Sequence, residues 1–200
     1  MNDLLIAPGW LAMQSVTLVV TQSTLGEDDL LRLAPSLAKL DKVHLFFVHR
    51  GVGLVGNDFS RFPEGRRVYC AFDHARFAGP VSSIQAGGLA VLGHLVHETD
   101  GVVTLPHGRV GAPKPLAVCL DAKPELALEG LRLAVGLRGC DHDVTLLADA
   151  PGSWRTLLDL GNLHPEAKGY VDAWNALGGT AVDHPLKGVD AHVRGAVLRL

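Results

Sequence analysis

The sequence has few cysteines, and no two of them form a close pair. Three cysteines occur in 200 residues, so there is neither a CxxC motif nor a disulfide or metal-binding framework. No apolar run reaches the ~20 residues that a membrane-spanning helix needs. Residues 1–14 lack the basic start and long apolar core of a signal peptide. The sequence therefore predicts a cytoplasmic protein with reduced thiols and no membrane partner.

The sequence also lacks a large excess of charge of either sign. The net charge is −3 and no basic stripe is present, which argues against a nucleic-acid partner. The chain has no GxGxxG motif, no phosphate-binding GxxxxGK[ST] loop and no GxSxG nucleophile elbow. Dinucleotide binding, P-loop chemistry and the α/β-hydrolase mechanism are therefore disfavoured. With 48% hydrophobic residues, the chain is expected to fold around a core.

The most regular pattern lies in the second half of the chain. An apolar run at Leu116–Leu120 is followed by leucines and alanines at three- and four-residue intervals up to Leu137. This spacing predicts a helix with one buried face. A second apolar run follows at Val144–Leu147. Strand, helix and strand in this order indicate the βαβ unit of a parallel sheet.

The first half repeats this pattern. Apolar runs at Val16–Val20 and Val43–Val48 enclose a segment with leucines at helical spacing from Leu30 to Leu40. Pro35 must either bend that helix or stand at the start of one. A repeat with a period of roughly 100 residues predicts two similar α/β domains in one chain.

The domain boundaries follow from composition. Residues 1–14 form an apolar N-terminal arm, residues 15–105 the first domain, residues 106–113 a linker rich in glycine and proline, and residues 114–200 the second domain. Further elements are expected within the domains. They are a strand at Val68–Phe72, a loop at Asp73–Pro80, helices at Gly87–His97, Trp154–Leu160 and Glu166–Leu177, strands at Val102–Leu105 and Thr180–Val182, and a segment of undecided type at Val189–Leu200.

Taken together, these segments resemble the DsrE/DsrF/DsrH-like (TusB/TusC/TusD-like) sulfur-relay proteins. The first half looks like the DsrH/TusB type and the second like the DsrE/DsrF type. The resemblance is carried by Gln22-Ser23-Thr24, Leu30–Leu40, Gly51-Val52, Val68–Ala71, Ala75–Gly79, His97-Glu98-Thr99-Asp100 and, in the second half, Leu131–Leu147.

The resemblance implies two tandem flavodoxin-like αβα domains with parallel sheets, fused in one chain and packed as a built-in pseudo-dimer. In this family a cysteine persulfide passes sulfur between proteins. The resemblance therefore implies other sulfur-relay proteins or a DsrE-like subunit as partners, in a homo- or hetero-oligomer. We predict neither a cofactor nor a metal.

Cys70 is the candidate sulfur acceptor. It stands near the carboxyl end of a predicted strand, where open α/β sheets place their ligands. His74 and Arg76 follow in the next loop, and cationic neighbours stabilise a thiolate or persulfide anion. In the TusD/DsrE type, a reactive cysteine precedes an arginine-rich loop at similar spacing. The alternative is that Cys70 is a buried strand residue acting as a small hydrophobe.

The other candidates have structural interpretations. Cys119 lies within an apolar run and is expected in the core. Cys140 follows a helix C-terminus beside acidic residues, and both features disfavour a thiolate. His94 and His97, three residues apart, could share a helix face, but a zinc site would need further ligands such as His49 or His74. Arg50, at a strand end, could bind an anion or form an ion pair.

Three hypotheses about function follow. The leading one is an intracellular sulfur carrier in which Cys70 holds sulfane sulfur and His74 and Arg76 stabilise the anion. The second is a non-catalytic scaffold that binds a partner subunit, because the second half has no cysteine corresponding to Cys70. The third, a small-molecule or metal-binding protein, rests on the ten histidines alone.

Overall fold

The computed structural model describes residues 13–22, 27–105, 112–121, 123–148, 165–183 and 195–199. The strands are β1 (Ser15–Val20), β2 (Lys42–Phe47), β3 (Arg67–Cys70), β4 (Gln85–Gly87), β5 (Gly101–Leu105), β6 (Ala112–Leu120), β7 (Val144–Ala148), β8 (Thr180–Asp183) and β9 (Gly195–Arg199). The helices are α1 (Glu27–Leu31), α2 (Ala34–Leu37), α3 (Ala71–Arg76), α4 (Leu89–His97), α5 (Pro124–Arg138) and α6 (Pro165–Ala176), with a 3₁₀ helix at His49–Leu54.

The first half of the chain forms a five-stranded sheet. Its strand order is β4-β3-β2-β1-β5, and each neighbouring pair is parallel. Strand β1, which lies between β2 and β5, is buried along Val16–Val20. Burial on both faces explains the unbroken apolar run in the sequence, since parallel strands are covered on both sides.

The second half forms a four-stranded parallel sheet with the order β8-β7-β6-β9. This order repeats β3-β2-β1-β5 of the first sheet, without a counterpart of β4. In each sheet the last strand in sequence pairs with the free side of the first strand, so β5 and β9 are equivalent edge strands. The predicted α/β class with parallel sheets is confirmed.

The two sheets meet at these edge strands. The backbone N–H of Arg199 in β9 donates a hydrogen bond of 2.7 Å to Thr104 Oγ1 in β5. A single hydrophobic cluster contains buried residues from both halves, among them Leu95 of α4 and Leu131 of α5. The two halves therefore share part of their core, and the domain boundary within residues 106–113 remains a prediction.

At three places the structure decides between open alternatives or differs from the sequence expectation. The segment around Pro35 forms two short helices, and Pro35 stands in the first turn of the second, where its missing N–H costs nothing. The loop expected at Asp73–Pro80 begins as helix α3, with Asp73 in its first turn, a position that the helix dipole favours. Within the undecided C-terminal segment, Gly195–Arg199 is a strand.

Other expectations fall outside the described residues. These are the arm up to residue 12, most of the linker and the helix at 154–160. Within the described part of the chain, no helix combines the length and apolarity needed to cross a membrane.

A close approach between α4 and α5 joins the halves and depends on glycine. A Cβ atom added at Gly136 would lie 2.6 Å from Leu89 Cβ. We expect Gly136→Ala to lower the free energy of unfolding by about 1–2 kcal/mol, because overpacking outweighs the gain in helix propensity. The matched control is Gly169→Ala in α6, where an added Cβ meets nothing within 4 Å and stability should rise. Urea unfolding measures both variants, and equal changes would contradict the close packing.

Candidate functional site

Cys70 ends β3 and immediately precedes α3. Its strand position places it at the carboxyl edge of the first sheet, as the sequence predicted. The residue is only 2% exposed and belongs to the shared hydrophobic cluster. Burial raises the pKa of the Cys70 thiol, and the nearby Asp73 carboxylate adds to this effect.

A guanidinium group from the second half contacts this thiol. Arg132 Nη1 lies 3.8 Å from Cys70 Sγ, and this contact lowers the pKa of the thiol, as does a hydrogen bond from the backbone N–H of Asp73. The opposing effects leave the pKa raised overall. The backbone N–H of Asp73 and the Arg132 guanidinium are therefore the two groups that favour an anionic sulfur at this position.

Arg132 is held by two carboxylates. Its Nη2 donates to Asp73 Oδ2 at 2.7 Å, and its Nε donates to Glu129 Oε2 at 2.8 Å. Burial by itself would lower the pKa of Arg132, but the Glu129 and Asp73 carboxylates raise it overall. The guanidinium is therefore charged and fixed in orientation beside the sulfur.

Further contacts connect these buried charged residues to others nearer the surface. Arg76 donates to Glu129 Oε1, and the backbone N–H of His49 donates to Asp73 Oδ2 at 2.7 Å. His49 has a φ of 53°, a left-handed conformation that is uncommon for a residue with a Cβ. Burial lowers the pKa of the His49 imidazole. We call Cys70, Asp73, Arg76, Glu129 and Arg132 the cysteine–arginine cluster.

The two residues predicted to assist Cys70 have other partners. His74 Nε2 shares a hydrogen bond of 2.9 Å with the carbonyl oxygen of Pro80, and its ring lies against Tyr69. Arg76 belongs to the cluster through Glu129 rather than through Sγ. The structure thus brings Arg76 near Cys70, whereas His74 turns to the backbone of the following loop. The roles of Cys70, His74 and Arg76 in catalysis remain predictions.

The other two cysteines differ from Cys70 in their surroundings. Cys119 is also 2% exposed and lies in β6, within a small apolar cluster. Cys140 follows α5 and is half-buried. Burial and the neighbouring Asp141 raise the pKa of the Cys140 thiol, in line with the expected effect of the acidic neighbours.

One of the two histidines on α4, His97, packs against the second half. His97 Nε2 hydrogen-bonds with the carbonyl oxygen of Cys140 at 3.0 Å, and its ring stacks on His142 with centroids 4.0 Å apart. His142 Nε2 in turn hydrogen-bonds with the carbonyl oxygen of Gly93. Among the described residues, no group of three or more His, Cys, Asp or Glu side chains could hold a metal ion.

An open cleft of about 640 Å³ lies at the opposite edge of the first sheet. Its walls come from residues 56–60 and 62–65 and from Arg67, Ser83 and Ile84, near the amino ends of β3 and β4. The Arg67 guanidinium donates to the carbonyl oxygens of Val43, Phe62 and Pro63. These bonds hold the charged group of Arg67 against the protein backbone. The cysteine–arginine cluster is therefore the better candidate for a functional site.

Sequence reasoning missed Arg132 and Glu129. Both lie in α5 among leucines, three residues apart, and both are buried. A paired acid and base inside an otherwise apolar helix is the signal that could have identified them, since charged residues are rarely buried unless paired. Their partner Asp73 is 59 residues away from Arg132 in sequence, a separation that no local pattern reveals.

The fold and this cluster define an α/β protein with two parallel sheets and a buried cysteine held between charged groups. No protein-family model matches the chain, and no curated protein matches it. A solved structure, 1-deoxy-D-xylulose 5-phosphate reductoisomerase from Zymomonas mobilis in complex with NADPH, aligns with 16% sequence identity and a TM-score of 0.33. The alignment covers 88% of this chain and 43% of that chain. The chain thus spans less than half the length of that enzyme, and a likeness at this level does not extend to function.

Proposed function

We propose that this chain is a sulfur-relay protein that carries sulfane sulfur as a persulfide on Cys70. The observation that supports the proposal most is the contact of 3.8 Å between Arg132 Nη1 and Cys70 Sγ. A guanidinium beside a sulfur stabilises the thiolate that attacks and the persulfide anion that results. The resemblance to DsrE/DsrF/DsrH-like proteins adds two tandem flavodoxin-like domains and a sulfur-relay partner in the cytoplasm to this proposal.

The proposed step is a transfer of one sulfur atom. Cys70 Sγ attacks the outer sulfur of a donor persulfide, a bond between the two sulfurs forms, and the donor's own S–S bond breaks. The donor leaves as a thiol with the proton that Cys70 loses. The step needs no oxidant or reductant, because the transferred sulfur keeps its oxidation state.

A second function is favoured by a different observation. Cys70 is 2% exposed and burial raises the pKa of its thiol, and both are features of inert structural cysteines. In this alternative, the cysteine–arginine cluster only joins the two halves, and the protein is a non-catalytic subunit that binds a partner.

Sulfur loading distinguishes the two functions. After incubation with inorganic polysulfide, intact-mass spectrometry should show added sulfur on the wild type and none on Cys70→Ser. Cys119→Ser is the matched control, because Cys119 is buried to the same 2% but lies in another cluster, and it should load as the wild type does. Cys140→Ser should also load.

Two outcomes would reject the proposal. Full loading of Cys70→Ser would show that another residue accepts the sulfur. Absence of loading on a folded wild-type protein, with Cys70 also resistant to alkylation, would leave the partner-binding function as the better supported one.

A further inference from the structure

The cysteine–arginine cluster and its surroundings carry an excess of positive charge. Arg76 and Arg132 face the carboxylates of Asp73 and Glu129. A further guanidinium, Arg50, lies at the edge of the same group and forms no ion pair with any described residue. Counted over the described residues, the surroundings of Cys70 therefore carry one uncompensated positive charge, in a chain whose net charge is −3.

Arg50 is exposed but held in place. Its guanidinium carbon lies 5.4 Å from the centre of the Phe77 ring, and that of Arg76 lies 5.0 Å from the same ring centre. Cation–π contacts of this kind orient a guanidinium and leave its N–H donors available. The same ring thus contacts two guanidinium groups at the surface.

This surface adjoins the Cys70 site. Arg50 follows β2 and Phe77 follows α3, so both lie at the carboxyl edge of the sheet. The His49 ring packs edge-on against Phe77 with centroids 5.0 Å apart, and the His49 backbone N–H bonds to Asp73 of the cluster. An anion bound by Arg50 and Arg76 would therefore lie beside the cysteine–arginine cluster.

We propose that Arg50, Arg76 and Phe77 form a binding site for small inorganic sulfur anions, of which thiosulfate and polysulfide are the simplest. The inference rests on the proposed function where it makes these anions the sulfur donors of Cys70. With thiosulfate, Sγ attacks the sulfane sulfur, the S–S bond breaks, and sulfite leaves with the bonding electron pair and the thiol proton. Arg50 supplies the unpaired positive charge, Arg76 supplies a second guanidinium that is also bonded to Glu129, and planar N–H pairs suit the oxygen atoms of such an anion.

Binding of thiosulfate tests the site directly. Titration calorimetry on the full chain should detect binding by the wild type and by Cys70→Ser. In Arg50→Gln the Kd should rise by about two- to fivefold, the value of a well-placed surface charge. Arg61→Gln is the control, because Arg61 is an exposed arginine in the loop before β3, near the amino edge of the sheet, and its loss should leave the Kd unchanged.

The outcomes separate this inference from the proposed function. Undetectable binding by the wild type, or equal weakening in Arg50→Gln and Arg61→Gln, would overturn the anion site even if Cys70 accepts sulfur from polysulfide. Binding that Arg50→Gln weakens, without any sulfur gained by Cys70, would keep the anion site and reject the sulfur carrier. Sulfate, which has the charge but no sulfane sulfur, should compete with thiosulfate and load nothing.

Discussion

Arg132→Met should lower the free energy of unfolding by about 3–5 kcal/mol, the usual cost of removing one partner from a buried ion pair. Arg132 is bonded to both Asp73 and Glu129, and these carboxylates are 0% and 2% exposed. Without the guanidinium, Arg76 would remain as the cation bonded to Glu129, and Asp73 would lose its ion-pair partner. Equilibrium unfolding in urea, followed by circular dichroism, measures the change.

Two controls show whether charge or packing causes the loss. Arg138→Met removes an arginine from the same helix, where it is only partly buried and bonds to carbonyl oxygens of Leu177 and Gly178. That change should cost about 1 kcal/mol or less. Combining Arg132→Met with Asp73→Asn and Glu129→Gln should recover part of the stability, because neutral groups are less costly to bury than unpaired charges. A similar loss in Arg132→Met and Arg138→Met would contradict the buried network.

This network also joins the two halves of the chain. Asp73 and Arg76 belong to α3 of the first half, whereas Glu129 and Arg132 belong to α5 of the second. The same helix α5 packs on α4 through the close approach at Gly136. Both the polar and the apolar contacts of α5 thus join the second half to the first, and loss of either should weaken the packing between the two halves.

Periodicity was enough to predict most of the regular elements. The apolar runs at Val16–Val20 and Val144–Leu147 became β1 and β7 within one residue at either end. The leucine spacing in the second half predicted α5. These predictions succeed because strands and helices that are buried along their length have a continuous apolar or periodic pattern in the sequence.

Short helices and contacts between residues far apart in the chain produce no such pattern. Helix α3 has six residues, too few to show a helical period. The contact between Arg132 and Cys70 spans 62 positions and forms only because α5 packs against α4 of the first half. The sequence could therefore indicate Cys70 from its place at a strand end, but it pointed to His74 and Arg76 as its cations because they were near in the chain.

Two substitutions in the cluster should shift the reactivity of Cys70 in opposite directions. The Asp73 carboxylate raises the pKa of the Cys70 thiol, and the Arg132 guanidinium lowers it. Asp73→Asn should therefore lower this pKa and keep the backbone N–H that bonds to the sulfur, whereas Arg132→Met should raise it. A shift of one pH unit in the titration changes the thiolate fraction at neutral pH about tenfold.

Alkylation by iodoacetamide over a range of pH measures these shifts, with peptide mass spectrometry to resolve each cysteine. The wild-type rate at Cys70 should still be rising at about pH 9, because burial raises the pKa of the thiol above its usual range. The curve for Asp73→Asn should move to lower pH and that for Arg132→Met to higher pH. If Arg132→Met does not fold, Arg132→Lys keeps the charge without the planar fork and should give a smaller shift in the same direction.

Cys140 is the internal control for this experiment. Its thiol pKa is raised by burial and by Asp141, groups that neither substitution changes, so its curve should stay in place. A cluster that merely loosened would expose Cys70 in both variants and speed its alkylation in both. Shifts of opposite sign at Cys70, with Cys140 unchanged, can arise only if the charges of Asp73 and Arg132 act on the sulfur itself, as a persulfide carrier requires.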